Sequence, residues 1–186
     1  MIPQAIKIVI AGGFGSGKTT LVGAVSEIPP MRTEELITDA SVGVDDLDGI
    51  EAKRHTTVAL DFGRITVSPT HVLYLFGTPG QDRFWFMWDE LSRGALGAVV
   101  LVDTRRLDKS FAAVDYFEKR GIPFVVAINL FHGRCDYSDA EVAGALKLNG
   151  DVPIVRCDVR RTDQAKLALI RVVRLVMAQL ETAPVG

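Results

Sequence analysis

Cysteine is scarce in this chain. The two present, Cys135 and Cys157, do not form a metal-ligand spacing, and a reduced cytosolic chain is the simplest reading. Net charge is scarce as well. A value of −2 over 186 residues offers no electrostatic case for nucleic acid or an anionic membrane as partner. No apolar run is long enough to cross a bilayer. The segment Met1 to Ala5 lacks the basic region of a secretion signal. Ile2 excludes N-myristoylation, and Ala183-Pro184-Val185-Gly186 is not a prenylation box. A cytoplasmic protein is expected, with any membrane association peripheral and through partners. Internal repeats and low-complexity segments are missing too. What remains is an ordinary balance, 48% hydrophobic and 24% charged, that can build a real core. The length suits one domain spanning residues 1–186.

Short runs rich in Val and Ile predict buried strands: Ile6 to Ala11, Val72 to Phe76, Ala98 to Val102, Phe124 to Ile128 and Ile154 to Cys157. Helical patterns lie between them, at Lys18 to Glu27, Ser110 to Arg120, Asp139 to Leu146 and Gln164 to Leu180. The last carries an apolar stripe at Leu167, Ile170, Val173 and Val176 or Met177. Alternating strands and helices predict an α/β fold in three layers, a mostly parallel sheet covered on both faces. Val58 to Val67 and Val72 to Phe76 are separated only by Ser68 to His71. That gap is too short for a crossover helix, so these two form one antiparallel hairpin. Arg32 to His55 is long and polar, with Asp45, Asp46 and Asp48, and reads as a functional or disordered loop.

Gly12-Gly13-Phe14-Gly15-Ser16-Gly17-Lys18-Thr19 matches the phosphate-loop pattern G-x-x-x-x-G-K-S/T, between a predicted strand and a predicted helix. Its glycines let successive backbone N–H groups turn toward one anion. The helix that opens at Lys18 adds the positive end of its dipole. Lys18 is expected on the β- and γ-phosphates, Thr19 on Mg²⁺, and Thr20 follows on the helix. The motif says nothing about the base. Phe14 occupies a variable loop position near the γ-phosphate, where it either crowds a partner's arginine or packs away from the site.

Gly77-Thr78-Pro79-Gly80-Gln81-Asp82-Arg83-Phe84 resembles the D-x-x-G-Q-E-R-F signature of Ras- and Rab-like GTPases. The resemblance implies a Gly80 N–H on the γ-phosphate and Gln81 orienting the attacking water. Thr57, with Thr56 as alternative, resembles the threonine that closes on Mg²⁺. Asn129-Leu130-Phe131-His132 stands where such proteins carry N-K-x-D. Asn129 matches, while His132 replaces a carboxylate that would accept two hydrogen bonds from guanine; a neutral imidazole accepts one. Cys157-Asp158-Val159 resembles the second base-contacting loop, in which Asp158 is either a base contact or a helix cap. The aspartate expected before Thr78 is Gly77, and Asp61 and Asp103 are the candidates to replace its carboxylate. Phe84-Trp85-Phe86-Met87-Trp88 holds both tryptophans and reads as a partner surface, with Phe84 and Trp88 partly buried and Trp85 or Phe86 displayed.

Four runs together, Gly12 to Thr20, His55 to Phe62, Leu75 to Trp88 and Gly97 to Arg106, resemble the bacterial GTP-binding proteins encoded in conservon operons. These are distant relatives of the gliding-polarity GTPase MglA. The resemblance implies a small GTPase switch that binds GTP and GDP with Mg²⁺ and hydrolyses GTP slowly, Lys18 and Gln81 carrying the catalysis. It also implies a roadblock-type partner and an operon that encodes a sensor-kinase-like protein. An arginine acting in cis would be Arg54 or Arg83. The alternative is an adaptor that binds nucleotide without useful turnover, favoured by Phe14 and Gly77. A phosphate-loop kinase would need an arginine-bearing lid, and no segment reads as one.

Overall fold

A computed structural model describes residues 2–29, 31–37, 56–80 and 86–182. Its strands are β1 (Gln4–Gly12), β2 (Met31–Ile37), β3 (Thr56–Ser68), β4 (His71–Gly77), β5 (Gly97–Val102), β6 (Phe124–Asn129) and β7 (Ile154–Cys157). The helices are α1 (Lys18–Val25), α2 (Phe86–Ser92), α3 (Phe111–Arg120), α4 (Asp139–Leu146) and α5 (Thr162–Thr182). A 3-10 segment, Thr104–Ser110, links β5 to α3, and a shorter one, Phe131–Gly133, follows β6.

The strands form one sheet in the order β2-β3-β4-β1-β5-β6-β7. Pairing is parallel from β4 through β7. β3 runs antiparallel to β4, as the short Ser68 to His71 gap requires. Alternate residues of the central strands face opposite layers. Ile8, Ile10, Val99, Leu101, Val125 and Ala127 pack with α1 and α5. Val9, Ala11, Val100, Val102, Val126 and Ile128 pack with α2, α3 and α4. The expected three-layer α/β fold is what forms. Local chemistry sets the helix ends. Ser138 and Glu141 make a capping box on α4, and Gly121 closes α3 in the left-handed conformation.

Two expectations need correction. The segment read as a loop, Arg32 to His55, contributes a strand: β2 pairs antiparallel with β3, Arg32 opposite Asp61 and Leu36 opposite Thr57. Met31-Arg-Thr-Glu-Glu-Leu-Ile lacks a two-residue apolar alternation, so its strand character comes from hydrogen bonding to its neighbour. Residues 38–55 lie outside the described residues. On α5 the buried face is Ala165, Ala168, Leu169, Val172 and Val176, whereas Leu167, Ile170 and Met177 are exposed. The small alanines face the sheet because they let the helix approach it closely.

Candidate functional site

The site forms where the C-terminal ends of the parallel strands meet the N-terminus of α1. β1 ends at Gly12, and the chain then turns through Gly13 to Gly17 into Lys18. Gly17 has φ +108°, and a β-carbon there would stand 2.7 Å from Asn129 Nδ2. Only glycine meets both demands. Lys18 is 8% exposed and curls back over the loop, its Nζ donating to the Gly12 and Gly13 carbonyls at 2.8 Å each. Burial pushes its ammonium down to about 8, against an upward pull from Asp61. At neutral pH it is still largely a cation, held against the carbonyls of the phosphate loop. Ser16 Oγ is buried without a hydrogen-bond partner among the described residues. A buried orphan of this kind inside an anion-binding loop fits a site shaped for a ligand. Phe14 points outward, 65% exposed.

Beside the loop, Thr19 Oγ1 donates to Asp61 Oδ2 at 2.6 Å. Asp61 is buried on β3, directly opposite Gly77 of β4. A β-carbon at position 77 would come within 2.9 Å of Asp61 Cβ. A carboxylate thus stands beside position 77 on the neighbouring strand, in space that is open because 77 is glycine. Asp103 takes no such part. Arg105 grips both its oxygens, at 2.8 and 2.9 Å, and holds its carboxyl below the usual range. A hydroxyl and a carboxylate beside a phosphate loop are hard oxygen ligands of the kind Mg²⁺ prefers. Among the described residues no cluster of three His, Cys, Asp or Glu side chains could hold a metal. A Mg²⁺ at Thr19 and Asp61 would share its coordination with phosphate oxygens and water.

At the base end, Asn129 is buried and bridges three segments. Its Nδ2 donates to the Ser16 carbonyl at 3.0 Å, and its Oδ1 accepts from Val159 N at 3.4 Å. Leu130 N donates to the Cys157 carbonyl at 2.9 Å. The loop after β6, the loop after β7 and the phosphate loop are thus tied at one residue. Burial drives the Cys157 thiol up to about 11, so this side chain is core and only its carbonyl serves the loop. Arg160 pins Asp158 with bonds of 2.8 and 2.6 Å and takes its carboxyl down to about 2. The Arg160 N–H also bonds to it, at 3.1 Å. Asp158 therefore closes an Asx turn on Arg160. Both its oxygens are engaged by Arg160.

The chain matches the profile of the family described as "Conserved hypothetical ATP binding protein" over residues 10–179. The chain belongs to this family. A member-like relative of Methanocaldococcus jannaschii, "Uncharacterized protein MJ1339", is 31% identical over 131 residues, covering 69% of this chain and 72% of the relative. Among solved structures, the cytosolic domain of the Thermotoga maritima (T. maritima) FeoB iron transporter in a GDP form is similar at a TM-score of 0.66 and 15% identity. That match covers 95% of this chain and 65% of the FeoB chain, so the protein spans about two thirds of that domain. The isolated FeoB G domain matches at a TM-score of 0.59 and 14% identity, covering 94% of this chain and 98% of that one. At such identities the likeness establishes the fold alone, that of a G domain.

Within this family member, the structure brings together much of what the sequence pointed to. The loop from Gly12 to Gly17, Lys18, Thr19, Asn129 and the Cys157-Asp158-Val159 segment line one region. Thr20 is exposed on α1. Gly80 joins them: a β-carbon there would stand 2.7 Å from Lys18 Nζ and 2.8 Å from Phe14 N. Thr56 and Thr57 start β3, opposite Ile37 and Leu36. The side chains of Thr56, Thr57 and His132 lie outside the described residues, as do Arg54, Gln81, Arg83, Phe84 and Trp85. Trp88 is fully core. It packs on Tyr116 and Phe117, and its Nε1 donates to the Pro79 carbonyl at 3.3 Å. Phe86 is displayed, 63% exposed. Sequence reasoning assigned no role to Arg105 and Arg106 in the 3-10 segment. The Arg105 guanidinium stacks 3.9 Å from the Phe131 ring centroid, and Arg106 reaches the phosphate loop. A pair of arginines directly after a buried strand was the available signal.

Proposed function

We propose that this protein is a small GTPase switch, one Ras-like domain over residues 1–186, binding GTP and GDP with Mg²⁺. The observation that carries the reading is the position of Gly80. Its backbone lies against Lys18 Nζ and Phe14 N, where a third phosphate has to enter between a lysine and a loop N–H. A triphosphate and a diphosphate therefore make different demands on residues 78–80. Trp88 bonds to Pro79, so a shift there is passed to α2. Differential contact with the two nucleotides is what a switch requires.

In this mechanism Lys18 and the loop N–H groups stabilise charge that develops on the phosphates. Thr19 and Asp61 would hold the metal, and Thr57 at the start of β3 would supply a further oxygen ligand. A bound Mg²⁺ would neutralise phosphate charge and fix the geometry of the β- and γ-oxygens. Gln81 orients the water. Hydrolysis is slow, and Phe86 at the start of α2 belongs to the surface read by a roadblock-type protein and other conservon partners. Work of this kind is cytoplasmic, with membrane contact only through those partners. The second reading is a nucleotide-binding adaptor without useful turnover. It is favoured by the exposed Phe14, which stands where an activating arginine would approach.

Calorimetric titration with GTP, GDP and ATP, with and without Mg²⁺, tests the binding reading. Tighter binding of GTP than ATP, dependent on Mg²⁺, is expected. Equal or better binding of ATP would remove guanine from the proposal. Single-turnover hydrolysis with and without a roadblock-type partner separates switch from adaptor: no cleavage in either case leaves the adaptor.

A further inference from the structure

The arginine pair after β5 divides its work. Arg105 is spent within the protein, bidentate on Asp103 and stacked over Phe131. Arg106 turns the other way. Its φ of −143° and ψ of 55° break the 3-10 segment at that residue. Its Nη2 donates to the Phe14 carbonyl at 3.3 Å. A β-carbon at Gly15 would stand 2.9 Å from the same nitrogen. The guanidinium thus lies on the rim of the phosphate loop, two residues beyond the point where Lys18 crosses it.

Three features argue against an idle surface charge. The side chain is steered from below by Asp103, which is nearly fully buried, its Oδ2 3.8 Å from Arg106 Nε. Arg105 makes three hydrogen bonds to that carboxylate, and Arg106 Nε stands beyond hydrogen-bond distance of it, so the charge steers Arg106 without consuming its donors. Among the described residues, the Arg106 side chain makes one hydrogen bond, to the Phe14 carbonyl, out of five guanidinium N–H groups. And the side chain is still 52% exposed while its Nη2 lies against Phe14 and Gly15 of the phosphate loop. A planar fork with spare donors beside a ring of backbone N–H groups is matched to phosphate oxygens.

We propose that Arg106 is a phosphate-binding residue, a second cation that grips the part of the nucleotide shared by the diphosphate and triphosphate forms. This rests on the nucleotide-binding reading above. The shared phosphates are assigned because Lys18 and Gly80 stand at the Phe14 N–H, on the side of that residue that leads back to β1, where the third phosphate enters. Arg106 approaches from the Phe14 carbonyl and Gly15. It sets how long a nucleotide stays bound in either state, while Lys18 and Gly80 tell the states apart.

Stopped-flow release of fluorescently labelled GDP and of a labelled non-hydrolysable GTP analogue, with Mg²⁺, tests this on the full chain. Arg106→Gln keeps a donor for the Phe14 carbonyl and removes the charge. It is expected to release both nucleotides about tenfold faster, as does Arg106→Ala. Arg106→Lys keeps the charge, loses the fork and falls between. Release unchanged in Arg106→Gln but fast in Arg106→Ala would mean the residue only braces the loop, and would overturn the proposal. Acceleration confined to the triphosphate would overturn the assignment to shared phosphates. A wild-type protein that retains neither nucleotide overturns the nucleotide-binding reading along with this one; a wild type that binds, with unaltered variants, overturns this one alone.

Discussion

At the phosphate end, Lys18, Thr19 and Asp61 converge from α1 and β3, and Arg106 reaches in from the segment after β5. At the base end, Asn129 ties three loops together, but the acidic side chain nearest to it in the fold, Asp158, is locked to Arg160. One end is rich in charge aimed at an anion. Among the described residues, the other is braced through Asn129, with its carboxylate engaged by Arg160. Under the proposed function, the difference predicts that the phosphates carry most of the affinity and that the base adds modest discrimination. A site that hydrogen-bonds its substrate rejects analogues strongly only when a mismatch leaves its own buried polar groups unpaired.

The largest expected effect removes the cation. Lys18→Ala is expected to weaken GTP and GDP binding by roughly 2–5 kcal/mol, more than about thirtyfold in Kd by titration calorimetry. Unchanged affinity would break the phosphate half of the comparison. Next is the transposed carboxylate. Asp61→Asn is expected to lower the Mg²⁺-dependent part of nucleotide affinity about 10–100-fold. Gly77→Asp alone is expected to be harmful, because its β-carbon collides with Asp61. The double change Asp61→Gly with Gly77→Asp restores Mg²⁺ dependence if the two positions trade one function.

The third effect follows from Lys18 itself. With its ammonium brought down to about 8 by burial, the empty site loses its charge as pH rises through that value. Phosphates bind the charged form and raise its pKa in the complex. Affinity is therefore flat below about pH 8 and falls about tenfold per pH unit above it. Titrations from pH 6.5 to 9.5 should show that slope, and Lys18→Ala should abolish it. The smallest effect sharpens the base end. His132→Asp, alone or with Arg160→Ala to release Asp158, is expected to favour GTP over ATP by about 1 kcal/mol, roughly fivefold. Competition of ATP against labelled GTP reads it. A wild type that already excludes ATP would show that another group accepts the guanine edge.

Some of this was legible in the chain before any fold was known. The phosphate loop could be read because its residues are contiguous and their spacing encodes a backbone shape. The hairpin of β3 and β4 followed from a gap too short for anything else. β2 stayed hidden because an edge strand draws its order from a neighbour rather than from its own pattern. The inward face of α5 was misjudged because an apolar stripe does not say which flank meets the sheet, and alanines there outweighed Leu167 and Ile170.

Other features rest on contacts between residues far apart in the chain. By itself the sequence determined that a nucleoside phosphate is bound, that strands and helices alternate, and that neither Gly77 nor His132 carries the expected carboxylate. Where the two candidate carboxylates stand was decided by tertiary structure: strand pairing put Asp61 opposite Gly77, and Arg105 engaged Asp103. Asp158 changed meaning in the same way: its charge is written in the sequence, but its commitment to Arg160 is a matter of turn geometry. Residue types set the available chemistry, and only folding sets the distances at which Coulomb and hydrogen-bond energies act.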